Sequence, residues 1–179
     1  MFLYKIDFEK AFDSINWGFL DSVEKQMNFG CKWRRWISSC LSSAKASVLF
    51  NGSPTEEFSI SKWVRQGDPL SPFLFILVME GLNIAVKSAC DNLIIHGIKL
   101  PGDGPVISHL LYADDAIFVG EWDYENLKNL SRILKCFHIS SWLNVNFLKS
   151  CLFGVGIDKE NLSSTAQALR CRHGEFPFN

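Results

Sequence analysis

The chain has 179 residues, enough for one domain with a sizeable core or for part of a larger one. A hydrophobic content of 47% excludes a disordered polypeptide. A formal net charge of −1 excludes a uniformly basic nucleic-acid-binding surface, so any such surface is local or lies in sequence beyond these residues. The six cysteines (Cys31, Cys40, Cys90, Cys136, Cys151, Cys171) form no CxxC pair, and no histidine pair has zinc-ligand spacing. They read as free thiols of a reducing compartment. Charge comes too early at the start for a secretory signal. The longest apolar run, 69–79, stops at Glu80, too short to span a bilayer. The expected setting is the nucleus or the cytoplasm, with no membrane; oligomeric state is left open.

In chain order, MFLYKID reads as a strand ending at Asp7. Ser14 or Asn16 can cap a helix over 17–27 with Phe19, Leu20, Val23 and Met27 on one face, closed by Phe29-Gly30. A second helix over 32–41 places Trp33, Trp36, Ile37 and Cys40 on its apolar side, with Arg34 and Arg35 displaced. Residues 46–60 read as a hairpin around Asn51-Gly52-Ser53-Pro54. A loop RQGDPLSP follows, and Ser71-Pro72 opens the longest helix, to about residue 90, since proline is tolerated in a first turn. That helix is apolar nearly all round and is expected to be buried. LIIHGIKL and VISHLLY are short strands separated by PGDGP, and AIFVG is another, which puts Tyr112-Ala113-Asp114-Asp115 at a hairpin turn. A helix over 121–138 carries Leu127, Leu130, Ile133, Leu134 and Phe137 in phase; CLFGVG is a last strand and 161–169 a last helix. Hairpins mixed with helices, without regular βαβ alternation, give an α+β fold with an antiparallel sheet packed on helices.

Three acidic segments carry the chemistry: KIDFEKAFDSINW, RQGDPLSPFLF and LLYADDAIFVG. If the fold brings Asp7 at one strand end to the Asp114-Asp115 pair between two others, the carboxylates form a cage for Mg²⁺. That ion takes hard oxygen ligands and leaves positions open for phosphates. Two ions about 3.5–4 Å apart clamp the attacking and leaving oxygens of a phosphoryl transfer. The pattern reads as the core of a nucleotidyl transferase. Any one aspartate taken alone reads more plainly as a solvated turn residue.

At these motifs the chain resembles the reverse transcriptase palm of plant LINE-type (non-LTR) retrotransposons. KIDFEKAFDSINW resembles that family's motif A, RQGDPLSPFLF its motif B, YADD its motif C and ILKCFHISSWLNVNFLKS its motif D; SVLFNGSPTEEFSI matches the family between A and B. The resemblance covers essentially the whole chain in the right order. It implies that residues 1–179 are a partial reverse transcriptase domain, a palm cut at both ends with fingers and thumb largely missing. It further implies an RNA template, a DNA primer, deoxynucleotide triphosphates and two Mg²⁺ ions for which Mn²⁺ can substitute.

Residue by residue, the resemblance makes Asp7 and Asp114 metal ligands. Asp115 ligates weakly or shapes the field and the turn, and the backbone carbonyl of Phe8 is a further candidate ligand. Phe12 becomes an aromatic gate that excludes a 2′-hydroxyl, against the plainer reading of a core phenylalanine. Gln66 and Gly67 match the loop that contacts the incoming nucleotide and template. Arg65 either contacts phosphate or is solvated. Lys149 matches the motif D lysine near the pyrophosphate, where it would stabilise or protonate the leaving group, or else it is a surface lysine. The stretch Lys32-Trp33-Arg34-Arg35-Trp36 could touch nucleic acid, but an amphipathic helix explains it more plainly.

Three positions depart from the family pattern. Trp63 and Trp142 stand where glycine is usual, and Asn144 replaces a common lysine. If the backbone at either tryptophan has positive φ, strain of about 1–3 kcal/mol follows. Such changes fit either lineage variation or a catalytically inactive retrotransposon remnant, a non-enzymatic or weak nucleic-acid-binding fragment.

Overall fold

In chain order the elements are β1 (Phe2–Glu9), α1 (Trp17–Gln26), α2 (Cys31–Ser42), β2 (Lys45–Ala46), β3 (Leu49–Phe50), β4 (Ser53–Pro54), β5 (Phe58–Ser59) and α3 (Ser71–Asp91). They continue with β6 (Ile98–Lys99), β7 (Val106–Ile107), β8 (His109–Tyr112), β9 (Asp115–Gly120), α4 (Tyr124–Ser141), β10 (Asn144–Val145), β11 (Cys151–Gly154), α5 (Lys159–Leu169) and β12 (Arg172–Gly174). They come from a computed structural model that describes residues 1–9, 15–43, 45–59 and 69–175.

β1 is the axis of the fold. Its side chains alternate strictly, with Phe2, Tyr4, Ile6 and Phe8 buried and Leu3, Lys5, Asp7 and Glu9 on the opposite face. The main sheet has the order β12-β11-β1-β9-β8, with β10 also pairing β1. Every pairing within it is antiparallel except β11 with β12. The expected α+β architecture with an antiparallel sheet is the one observed. The parallel strand β12 has no alternating pattern in RHG to announce it.

Against the buried face of the sheet sits a core that includes Leu20 of α1, Leu74, Phe75, Val78 and Leu82 of α3, and Leu127, Leu130 and Leu134 of α4, each at most 1% exposed. The helix starts follow from local chemistry: Asn16, Asp123 and Asp158 accept hydrogen bonds from the backbone N–H of Phe19, Asn126 and Asn161, and Pro72 lies in the first turn of α3. α1 runs close against α3. A Cβ on Gly81 would come within 3.0 Å of the Phe19 ring and 3.1 Å of Val23, so glycine permits the approach.

Several details differ from the sequence expectations. On α2 the buried stripe is Ile37 and Leu41, whereas Trp36 is exposed beneath the Lys32 ammonium and Cys40 is exposed as well. Trp33 is half-buried, stacked on Phe29. The i, i+4 spacing of positions 37 and 41 sets the stripe, and 36 and 40 fall on its flank. α3 is apolar all round, yet only one face is core; Phe73, Ile76 and Ile84 point outward. It is long and apolar enough to cross a membrane by length and composition alone, but Leu74, Phe75, Val78, Leu82 and Val86 on its inner face are all fully buried. α4 starts at Tyr124 and runs to Ser141, three residues later at both ends than expected, because Asp123 is the cap. The expected hairpin over 46–60 is two short ladders, β2 with β5 and β3 with β4. Its tip is Asn51-Gly52, both with positive φ, the backbone of a tight two-residue hairpin turn.

Two polar devices fasten the sheet to its helices. Asn126, 2% exposed, donates to the carbonyls of His96 and Glu121 and accepts from the His96 N–H. On the β8 side, His109 Nε2 lies 2.9 Å from Asn83 Oδ1, Asn83 donates to Glu80, and Ser108 Oγ is 2.9 Å from His109 Nδ1. Burial, with Lys87 nearby, pushes the His109 imidazole below its ordinary pKa against the opposite pull of Glu80.

Candidate active site

The β8–β9 hairpin brings the acidic residues together. Tyr112 and Asp115 are its last registered pair, leaving Ala113-Asp114 as a two-residue tip. Ala113 sits at φ 49, a left-handed conformation that costs a non-glycine residue about 1–2 kcal/mol. The hairpin is therefore held under local strain at its exposed tip. Asp114 stands exposed at that tip, and the Tyr112 side is exposed too.

Asp7 of β1 lies directly opposite Asp115 of β9. The other edge of β1 fixes the character of this pair. Asp7 donates its N–H to Ser150 Oγ at 3.3 Å, and its carbonyl accepts the Asn146 N–H at 2.8 Å. Both backbone groups of Asp7 thus point away from β9. The Asp7–Asp115 pair is of the non-hydrogen-bonded kind, in which facing side chains come closest. By the same alternation the Phe8 backbone is directed to the β9 side, just past the last registered pair and toward the tip that carries Asp114. The Phe8 ring is buried, edge-on to Phe137 at 6.4 Å, and belongs to the core.

Two carboxylates facing each other across a ladder repel, and here each has a cation beside it. Lys5 Nζ is 3.3 Å from Asp115 Oδ1, and Lys149 Nζ is 4.0 Å from Asp7 Oδ2. All four side chains are 40% exposed or more, so the pairs are screened and each contributes little to stability. Of the residues singled out in the sequence, Asp7, Phe8, Asp114, Asp115 and Lys149 are gathered at this end of the sheet. Phe12, Arg65, Gln66 and Gly67, with Trp63, lie outside the described residues.

Sequence reasoning missed Lys5, Asn146 and Ser150. Lys5 carried a legible signal, because it lies two residues before Asp7 and so shares its strand face. The other two carried none, since their role is to stand in for a strand. β10 ends at Val145 and β11 starts at Cys151, and in the gap the turn 147–149 presents Ser150 Oγ and the Asn146 N–H to the otherwise unpaired edge of Asp7.

Among the described residues no three His, Cys, Asp or Glu side chains converge tightly enough to hold a metal ion by themselves. The donor set still suits a hard divalent cation. Mg²⁺ is commonly held by one or two carboxylates with water and substrate phosphates completing the shell, and facing carboxylates neutralised by lysines are such a half-shell.

The site and its frame can be compared with known proteins. A model of the family described as reverse transcriptase (RNA-dependent DNA polymerase) matches residues 2–168. A mitochondrial protein of Arabidopsis thaliana is 43% identical over 67 residues, 37% of this chain and 55% of its own. The 149 kDa protein of transposon TX1 from Xenopus laevis is 29% identical over 145 residues, 81% of this chain and 11% of its own. The Pol polyprotein of the type-1 retrotransposable element R2 from Popillia japonica is 26% identical over 156 residues, covering 84% and 20%. Among solved structures, apo telomerase from Candida tropicalis truncated from the C-terminal domain superposes with a TM-score of 0.64 at 17% identity, over 88% of this chain and 31% of that one. At that identity the likeness concerns the fold. The chain spans about half the length of the Arabidopsis protein and a tenth to a fifth of the two transposon proteins.

Proposed function

The chain belongs to the reverse transcriptase family, and from that premise we propose that residues 1–179 are the palm of an RNA-directed DNA polymerase of the non-LTR retrotransposon kind, acting in the nucleus or cytoplasm. The observation that carries the proposal is the facing of Asp7 and Asp115 across β1 and β9 beside a tip that bears Asp114. The family works with divalent metal ions. In this chain Asp7, Asp114 and Asp115, with the Phe8 carbonyl, would hold two Mg²⁺, replaceable by Mn²⁺. Such ions, held there, would supply acidity to a primer 3′-hydroxyl and positive charge to the α-phosphate and the departing pyrophosphate.

The chain's own residues supply position. The primer 3′-hydroxyl loses its proton to water and its oxygen bonds to the α-phosphorus of a deoxynucleotide as the bond to the bridging oxygen breaks, and pyrophosphate leaves. Lys149, beside Asp7, is the proton donor or counter-charge for that pyrophosphate. Ser150 and Asn146 fix the Asp7 backbone, so its carboxylate keeps its direction when charge shifts. Phe12 is assigned to the sugar, and Arg65, Gln66 and Gly67 to the incoming nucleotide and template. The test is primer extension on an RNA template with deoxynucleotides and Mg²⁺ or Mn²⁺. Extension that disappears in Asp7→Asn and Asp114→Asn is expected. Extension that survives both substitutions overturns the reading.

A second reading has one specific observation in its favour. Trp142, where the family usually has glycine, caps α4 at φ 65, a conformation in which a bulky side chain is strained. A sequence that tolerates this is compatible with a remnant free of selection for activity. The salt dependence of binding to a primer-template duplex separates the two: a steep slope belongs to a polymerase palm, near-absence of binding to a remnant.

A further inference from the structure

We propose that Lys5 is the positioning residue of the carboxylate pair: its ammonium holds Asp115 in place of a divalent ion and sets how tightly the pair takes that ion. This rests on the reading of Asp7 and Asp115 as metal-holding residues. Lys5 shares the open face of β1 with Asp7, and its direct cross-strand neighbours are Ile117 on β9 and Cys151 on β11. Neither offers it a charge, since burial pushes the Cys151 thiol up and keeps it neutral. The side chain instead runs diagonally to the carboxylate of Asp115, 3.3 Å away.

That diagonal has a physical cause. Asp7 and Asp115 face each other as a non-hydrogen-bonded pair, and an uncompensated pair of like charges at that spacing is unfavourable. Lys149 serves Asp7 from the turn 147–149, with a longer contact and a more exposed side chain. Lys5 serves Asp115 from the central strand of the sheet, where its backbone is paired on both edges. It is therefore the fixed member of the two cations. A fixed positive charge beside a ligating carboxylate orients that carboxylate and also competes with the ion for it, whereas a lysine that merely covers the sheet with its stem does neither.

The experiment is Mn²⁺ binding to the 179-residue chain, followed by the paramagnetic resonance signal of free Mn²⁺ at low and high salt. Lys5→Met keeps the stem and removes the charge. It is expected to lower the Mn²⁺ Kd by about threefold or more at low salt, with the difference shrinking as salt screens the site. Lys5→Arg, which restores the charge, is expected to bind as the wild type does. Asp7→Asn and Asp115→Asn should weaken binding in either background. Equal or weaker binding in Lys5→Met, with both aspartate variants still impaired, overturns the role of Lys5 and leaves the metal reading standing. No Mn²⁺ binding by the wild type or by Lys5→Met overturns the metal reading and this proposal with it.

Discussion

The hydroxyl of Ser150 takes the place of a strand on the free edge of Asp7, accepting its N–H at 3.3 Å while donating a hydrogen bond to the Asn146 carbonyl at 2.8 Å. Ser150 is fully buried, although the hydrogen bond it accepts from Asp7 is only partly so. Ser150→Ala is expected to cost about 1–2 kcal/mol of stability, the price of an orphaned buried N–H. Primer extension should drop further than that loss of stability explains, because the Asp7 backbone is released. Urea denaturation and single-turnover extension on the same preparation check both parts.

Divalent ions should stabilise the fold through the same pair. Adding millimolar Mn²⁺ is expected to raise the melting temperature of the wild-type chain, since a ligand of the native state alone shifts the equilibrium by mass action. Asp7→Asn should abolish the rise without unfolding the chain in metal-free buffer. Thermal melts with and without Mn²⁺ read it directly, and an equal rise in Asp7→Asn would place the ion elsewhere.

Trp142 is the position where a single change should strengthen the molecule. Its backbone N–H closes α4 onto the His138 carbonyl at 2.8 Å, and it does so at φ 65. Glycine adopts this conformation freely. Trp142→Gly is expected to gain about 1 kcal/mol, seen as a higher urea midpoint with an unchanged slope. A lower midpoint would mean that the contacts of the indole outweigh the strain of its backbone.

Glu24 gives the fold a pH dependence. It is 1% exposed, and its Oε1 has no hydrogen-bond partner. Burial pushes its carboxyl above the ordinary range; Trp33 and Arg34 pull part of the way back, and Asp21 adds to the rise. The folded state therefore holds this proton more tightly than the unfolded chain does. Its contribution is present below pH 4.5 and is lost as pH climbs through the raised folded value. Glu24→Gln should remove that decline and be the more stable chain at pH 7, by on the order of 1 kcal/mol. Denaturant midpoints measured from pH 4 to pH 8 should converge at the acid end.

Much of this arrangement could be read from residue order, and the boundary is physical. The alternation of FLYKIDFE and the turn in YADD gave β1 and the β8–β9 hairpin, because period-two burial and tight turns are local properties. That Asp7 would meet Asp115 across the ladder depends on a register no local pattern encodes. α3 was legible as a helix but not in its facing, since a sequence apolar all round names no inner side. Trp36 misled because an aromatic residue scores as core whichever side of the stripe it occupies. The strain at Trp142 could be foreseen only because glycine was expected there. Ser150 had no such signal.

The order of strands has a consequence for how the chain comes into being. β1 is the first strand in sequence and the middle strand of the sheet, yet its neighbours β9, β10 and β11 lie at residues 115–120, 144–145 and 151–154. Phe2, Tyr4, Ile6 and Phe8 lack these sheet partners until residues 115–154 have been synthesised. Such non-local pairing makes for slow folding and leaves an apolar strand open to aggregation in the meantime. It also means that Asp7 and Asp115 face each other only through a long-range contact, which needs β9 to have been synthesised.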